Sequence, residues 1–247
     1  MKKVPIKLER DPILEAVFEL RFQAEVPSIS DLLPGLLYPK LKDRFKTPER
    51  LPGAGIPKEI LEFNPSLLYQ PRIRLMSDQC SIYVGDKSLV VSCTKPYLGW
   101  SEFKPLLLDV LQQLQKTDLI STIERFSLKY VNVLEAKELK DQFNFIRLSA
   151  QLGSYDLTNY LISVISEIKA DGLVNLIEIK SGTTATTTAK PQGVAVGLYL
   201  SIDTIYMTPE AFWDKSEQHL EKVHSKEKQI FFDLLTEETT KNLGAVW

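Results

Sequence analysis

Between residues 72 and 93 the chain commits to a folded pattern. Arg72, Ile73, Arg74 and Leu75 alternate polar with apolar, Asp78 and Gln79 supply a turn, and residues 80–84 and 89–93 flank Gly85-Asp86-Lys87-Ser88. Alternation with period two is the signature of a strand with one buried face, and a short Gly/Asp/Ser loop between two such runs marks a hairpin. Closing that hairpin sets Val84 opposite Leu89, Ile82 opposite Val91 and Cys80 opposite Cys93. All six then share one face, so the register is self-consistent. Opposed Cβ atoms lie about 4.5–5.5 Å apart, whereas a disulfide favours about 3.8 Å. With no leader at the start of the sequence, a reducing compartment is expected, and the pair reads as two buried free thiols.

The same logic extends along the chain. Residues 16–22 place Phe18, Leu20 and Phe22 on one face and Glu19 and Arg21 on the other, with Pro12 and Pro27 outside the run. Leu37, Leu41 and Phe45 outline a partly helical segment. Residues 47–66, with four prolines, read as an irregular connection. Phe103, Leu106, Leu107, Val110, Leu111 and Leu114 follow helical spacing after Ser101. Residues 125–134 return to strand, with Phe126, Leu128, Tyr130, Asn132 and Leu134 on one face. Residues 143–152, 161–170, 173–180 and 194–206 are all strand-like, with Asp171-Gly172 as a tight turn and a Thr-rich hairpin tip or edge over 181–189. Thr208-Pro209-Glu210 reads as the start of a long last helix reaching to about residue 235. Its stripe is Phe212, Ser216, Leu220, Val223, Glu227, Phe231 and Leu234. Thr236 caps a short final helix that Gly244 ends.

Runs of strands with occasional helices define an α+β chain. The expected architecture is a mostly antiparallel sheet or sheets, with amphipathic helices on one face and a long C-terminal helix. The 247 residues form one domain, with two related halves, about 1–135 and 136–247, left open.

Composition narrows the function more than it names it. A net charge of −2 and 25% charged residues leave no general positive field for nucleic acid. No apolar run approaches a membrane span, and the expected location is the cytoplasm. Neither phosphate-loop nor dinucleotide glycine patterns occur, nor a Gly-x-Ser-x-Gly elbow. The two histidines, His219 and His224, are five residues apart and so lie on different sides of a helix. No metal, no cofactor and no catalytic set is expected.

Six residues remain as candidate binding groups: Glu15, Arg21, Lys129, Asn132, Asp203 and His224. Glu15, Glu19 and Arg21 read as a solvated face with a cross-strand ion pair. Asn132 either satisfies a strand irregularity or meets a ligand. Asp203 falls on the more polar face of its strand and is expected to be exposed. His224 borders the apolar stripe, as a structural histidine or as a base lacking an evident partner. Lys40, Lys42, Arg44, Lys46, Arg72 and Arg74, with Tyr38, Phe45 and Tyr69 nearby, form a candidate basic patch for single-stranded nucleic acid.

Residues 12–22 (PILEAVFELRF), Trp100 with Phe103, residues 125–132 (RFSLKYVN), Ser201-Ile202-Asp203 and the tail from His224 through Phe231 to Thr236 carry a resemblance. In order and spacing the chain resembles a sporadically distributed bacterial family of about 250 residues with no assigned activity. Lys129 stands where arginine is expected in that pattern. The patchy distribution implies an accessory component of a horizontally mobile defence or toxin–antitoxin system. The function expected is a non-enzymatic binding or scaffold subunit acting through a protein partner or as a homo-oligomer. The alternatives are an enzyme or ligand-binding protein with a pocket built from distant strands, and a nucleic-acid-binding accessory protein.

Overall fold

The computed structural model describes residues 4–187 and 190–247. In chain order the elements are β1 (Lys7–Leu8), β2 (Ile13–Ala24), α1 (Ile29–Leu41), β3 (Glu49–Arg50), α2 (Lys58–Phe63), β4 (Ile73–Met76), β5 (Cys80–Val84), β6 (Ser88–Thr94), α3 (Trp100–Gln115) and β7 (Ile120–Glu135). They continue with α4 (Leu139–Gln142), β8 (Gln151–Leu152), β9 (Tyr155–Asp156), β10 (Ser163–Ala170), β11 (Leu173–Thr187), β12 (Lys190–Met207), α5 (Ser216–Leu234), α6 (Glu237–Asn242) and β13 (Ala245–Val246).

The chain is α+β and built on one antiparallel nine-stranded sheet, ordered β10-β11-β12-β7-β2-β6-β5-β4-β3. The longest strands sit at its centre, where β7 pairs β2 on one side and β12 on the other. The β5–β6 hairpin has the register its alternation dictates, Cys80 to Cys93, Ile82 to Val91 and Val84 to Leu89, and all six side chains are buried. Asp171 and Gly172 both take positive φ, 57° and 74°, in the tight turn between β10 and β11.

Helices α1, α3 and α5 pack on one face of this sheet. The apolar interior there divides into two clusters. The larger holds Phe18, Leu20, Phe103, Phe126, Leu128, Tyr130, Leu220 and Val223. The smaller holds Leu134, Phe143, Ile146, Leu198, Leu200, Ile202, Phe231 and Leu235. Between them runs a buried polar seam. Along α5 the order is Val223, Glu227, Phe231, and along β7 it is Tyr130, Asn132, Leu134. Glu227 and Asn132 are therefore each flanked by one member of either cluster. Further along the seam, buried Thr204 on β12 donates to Asn175 on β11 at 3.1 Å.

Several expectations need correction. Cys80 and Cys93 are not free thiols; they form a disulfide across the hairpin, with their Cα atoms 4.1 Å apart. Their opposed register inside the core brings the sulfurs within bonding reach. Residues 143–152 are not a continuous strand. Residues 143–145 form a 3-10 turn, Ile146 makes a lone bridge to Leu235, and only Gln151–Leu152 pairs, with β9. The buried residues Phe143 and Ile146 are three apart, the spacing of a turn rather than of a strand. The last long helix does not start at Thr208-Pro209. Thr208 and Ala211 have φ of 43° and 47°, which no α-helix accommodates, and α5 begins at Ser216. The reversal is fixed from within α5, where His219 Nε2 lies 3.0 Å from the Glu210 carbonyl. Of the Thr-rich run, residues 181–187 extend β11, and 188–189 lie outside the described residues.

The cap at Thr236 forms as its sequence implies: its hydroxyl accepts from the Thr239 N–H at 3.2 Å and donates to the Asn144 carbonyl at 3.0 Å. Thr236→Ala is expected to lower stability by about 1 kcal/mol in urea denaturation, the usual loss for an N-cap hydroxyl.

Candidate functional site

The polar seam opens at one end into a cavity of about 500 Å³. Four stretches far apart in sequence wall it. Residues 6–8 and 11–13 bring β1 and the start of β2, and residues 97–101 lead into α3. Tyr130 and Asn132 project from β7, and His224, Glu227, Lys228, Phe231 and Phe232 come from α5. Gly99, at φ 83°, turns the chain sharply so that Tyr97 points inward just before Trp100 opens α3.

The polar groups at its base are linked. The Tyr97 and Tyr130 hydroxyls lie 3.1 Å apart, and the Tyr130 hydroxyl lies 3.3 Å from His224 Nδ1. The His224 ring stacks on Trp100 with centroids 4.0 Å apart and planes 10° from parallel. Trp100 is anchored in turn, its indole N–H donating to Glu221 at 3.2 Å, and Lys104 holds Glu221 at 2.8 Å. Asn132, 1% exposed, donates its amide N–H to the Leu200 carbonyl at 3.2 Å, which turns its side-chain oxygen away from that bond.

Burial holds these groups uncharged. It pulls His224 down to about 4, with Lys228 and Lys104 adding to the effect and Glu221 opposing it. At neutral pH the imidazole is therefore neutral, and Nδ1 can accept the Tyr130 O–H. Burial raises both tyrosine hydroxyls, Tyr130 most, so neither ionises near neutrality. Glu227 is 5% exposed, and burial drives its carboxyl up to about 8 against the pull of Lys228. No hydrogen bond reaches that carboxyl among the described residues. Lys228 makes no ion pair with it; its ammonium is held by the Ile6 carbonyl at 2.8 Å. A buried carboxyl is ordinarily paired or hydrogen-bonded, because desolvating it alone is expensive. Glu227 faces the cavity instead.

Of the six residues the sequence singled out, Asn132 and His224 meet at this cavity. The other four lie on the opposite face of the sheet. Positions 129 and 132 differ by an odd number, so their side chains on β7 point to opposite sides. Glu15 accepts from the Ser92 hydroxyl. Arg21 donates to Glu19 at 3.1 Å and lies over the Tyr69 ring, 4.2 Å from its centroid. Lys129 stands between Val17 and Asp203 in the register. Asp203 is half-buried, not exposed: its Oδ1 is inaccessible and without a partner, and burial raises its carboxyl against a hydrogen bond from Ser127 and the charges of Arg125 and Lys129. Arg125 pairs with Glu19, so this face is a compact network of mixed sign.

The basic patch is largely neutralised. Arg44 pairs with Asp109 at 3.9 Å, Lys46 with Asp78 at 3.6 Å, Arg72 with Asp86 at 3.1 Å and Arg74 with Glu49. Only Lys40 and Lys42, at the end of α1, have no acidic partner of this kind among the described residues.

Tyr97, Trp100, Tyr130 and Glu227 also line the cavity and are not among the six candidates that the sequence singles out. Glu227 carried a signal: a carboxylate in the middle of an otherwise largely apolar helical stripe. No protein-family model matches the chain, and no curated protein matches it. Among the described residues no helix is long and apolar enough to cross a membrane.

Proposed function

We propose that the protein binds a small organic molecule in the cavity between β7, α5 and the start of α3. One observation carries this reading. Glu227, buried and without a hydrogen-bond partner among the described residues, faces a cavity of about 500 Å³ shared with two tyrosine hydroxyls, an asparagine amide and a neutral histidine. Concave, mostly apolar sites with a few convergent polar groups are where small ligands bind. The scale fits, since ligand cavities typically run from about 300 to 1,000 Å³. The linked chain of Tyr97, Tyr130 and His224 is rigid because every ring in it is packed against another, which suits recognition at low entropic cost.

Ligand-observed NMR with a library of small aromatic and heteroaromatic fragments tests the proposal. Saturable binders are expected, and Ser101→Trp, at the exposed rim, is expected to weaken them at least tenfold while leaving the melting temperature unchanged. Hits insensitive to Ser101→Trp place binding elsewhere and overturn the reading.

A protein-partner role has one specific observation in its favour. The edge strand β10 exposes Ile165 and Ile168, at 69% and 47%, beside Leu161 at 74%. An exposed apolar edge strand is a ready template for pairing with another chain.

A further inference from the structure

We infer that the cavity takes a primary organic ammonium ion, with the Glu227 carboxylate as its counter-ion. The inference rests on the ligand-binding reading above and names the chemical class of the ligand. It begins from the two halves of the wall. Of the charged side chains that line it, only Glu227 is buried; Lys228 is half-buried, and Asp11 and Lys7 are exposed. Lys7 and Lys228 stand at the rim, and the Lys228 ammonium is engaged by the Ile6 carbonyl. An anionic ligand would find its only positive charges at the mouth and a carboxyl at the bottom. A cation finds the reverse.

The hydrogen-bonding groups also match. An ammonium group has three donors and no acceptor. Glu227 offers carboxylate oxygens. Tyr130 retains oxygen lone pairs while its proton is directed to His224 Nδ1, and the Asn132 side-chain oxygen is free of the bond its nitrogen makes to Leu200. All three residues line the same cavity. The rings of Tyr97, Trp100, Tyr130 and Phe231 supply the rest of the wall, and aromatic faces attract cations once water is excluded. A metal ion is a poorer fit. Among the described residues no three His, Cys, Asp or Glu side chains are grouped to ligate one.

Binding of a cation must displace the proton that burial keeps on Glu227 in the free protein, and that proton leaves to solvent. The groups facing Glu227 set the pH window. His224, at about 4, stays neutral above pH 6, and both tyrosines stay protonated. Lys7 and Lys228 sit at the rim, as does Asp11, whose Oδ1 accepts the Ile13 N–H at 2.8 Å. Burial raises the Asp11 carboxyl against the Ile13 hydrogen bond and the charge of Lys95, and lowers the Lys228 ammonium against the pull of Glu227, so the comparison with Glu227→Gln assigns the pH dependence to Glu227.

Calorimetric titration of the intact protein with benzylamine, benzyl alcohol and benzoate tests this. Benzylamine is expected to bind about fifty-fold more tightly at pH 8 than at pH 6, the ratio of ionised Glu227 for a group titrating near 8. At pH 6 about one proton should be released per ligand bound, read from two buffers of unlike ionisation enthalpy. Glu227→Gln should remove the pH dependence and at least ten-fold of the benzylamine affinity at pH 8, yet leave benzyl alcohol unaffected. Benzoate or benzyl alcohol binding as tightly as benzylamine at pH 8 overturns the inference while preserving the cavity as a ligand site. So does unchanged benzylamine binding by Glu227→Gln. Failure of all three probes to bind sinks the ligand-site reading together with the inference.

Discussion

Glutamine in place of Glu227 is expected to raise stability at pH 8 by about 3–5 kcal/mol, from a folded-state carboxyl at about 8 against an ordinary 4.5. The sign follows from proton counting. Below pH 4.5 the carboxyl is protonated in both folded and unfolded chains, and burial costs nothing extra. Between 4.5 and 8 the unfolded chain releases the proton and the folded chain keeps it, so folded stability falls as pH rises, and the loss is complete above 8. His224 works from the other side. Its folded value, about 4, lies below the ordinary 6.5, so its contribution is fully present above 6.5 and is lost as pH falls through 4. Between about 4.5 and 6.5 the two effects oppose each other and cancel. Urea titrations of wild type from pH 4 to 9 should show an alkaline decline that Glu227→Gln abolishes, with the two proteins converging near pH 4.5. Parallel curves would mean that Glu227 is solvated.

Phe126→Ala is expected to cost about 3–5 kcal/mol, the usual loss for truncating a fully buried phenylalanine. Phe126 has no exposed surface, and its ring lies 6.1 Å from Phe18, 5.7 Å from Tyr206 and 5.4 Å from Phe212. It therefore joins β2, β7, the end of β12 and the turn before α5 at one point. The cavity left behind cannot collapse easily, because rings on three sides belong to different elements held by the sheet. Thermal and urea unfolding check it; a loss under 1 kcal/mol would mean that this part of the core is loosely packed.

The sheet was legible wherever one face is buried and the other polar. The β5–β6 register, the inward Phe18, Leu20 and Phe22, and the turn at Asp171-Gly172 all follow from period-two alternation and turn chemistry. The segment 143–152 was not legible, because Phe143 and Ile146 meet the core at a spacing of three and the apolar content alone mimics a strand. The start of α5 was obscured because Thr208-Pro209-Glu210 has the composition of an N-terminus, while the chain reversal after β12 requires left-handed backbone there. The disulfide was set aside on compartment grounds, although the register placed the two sulfurs together.

The cavity was the least legible part. It draws on residues near 12, 98, 131 and 227, and no local pattern ties these together. What a sequence can carry is the misfit: Asn132 on a strand's apolar face and Glu227 within a helix's largely apolar stripe. Each is a polar residue at a position that packing alone would fill with leucine. Reading both as members of one seam requires the sheet order that sets β7 beneath α5.

The most direct test of the ligand-site claim is the fluorescence of Trp100, whose indole lines the cavity and stacks on His224. In a Trp213→Phe, Trp247→Phe protein, Trp100 is the sole remaining tryptophan. Titration with benzylamine at pH 8 should change its emission saturably, with one site per chain, and Ser101→Arg at the exposed rim, which adds no tryptophan, should suppress the change. Emission that does not respond at any concentration, or responds equally with Ser101→Arg in place, would contradict the account.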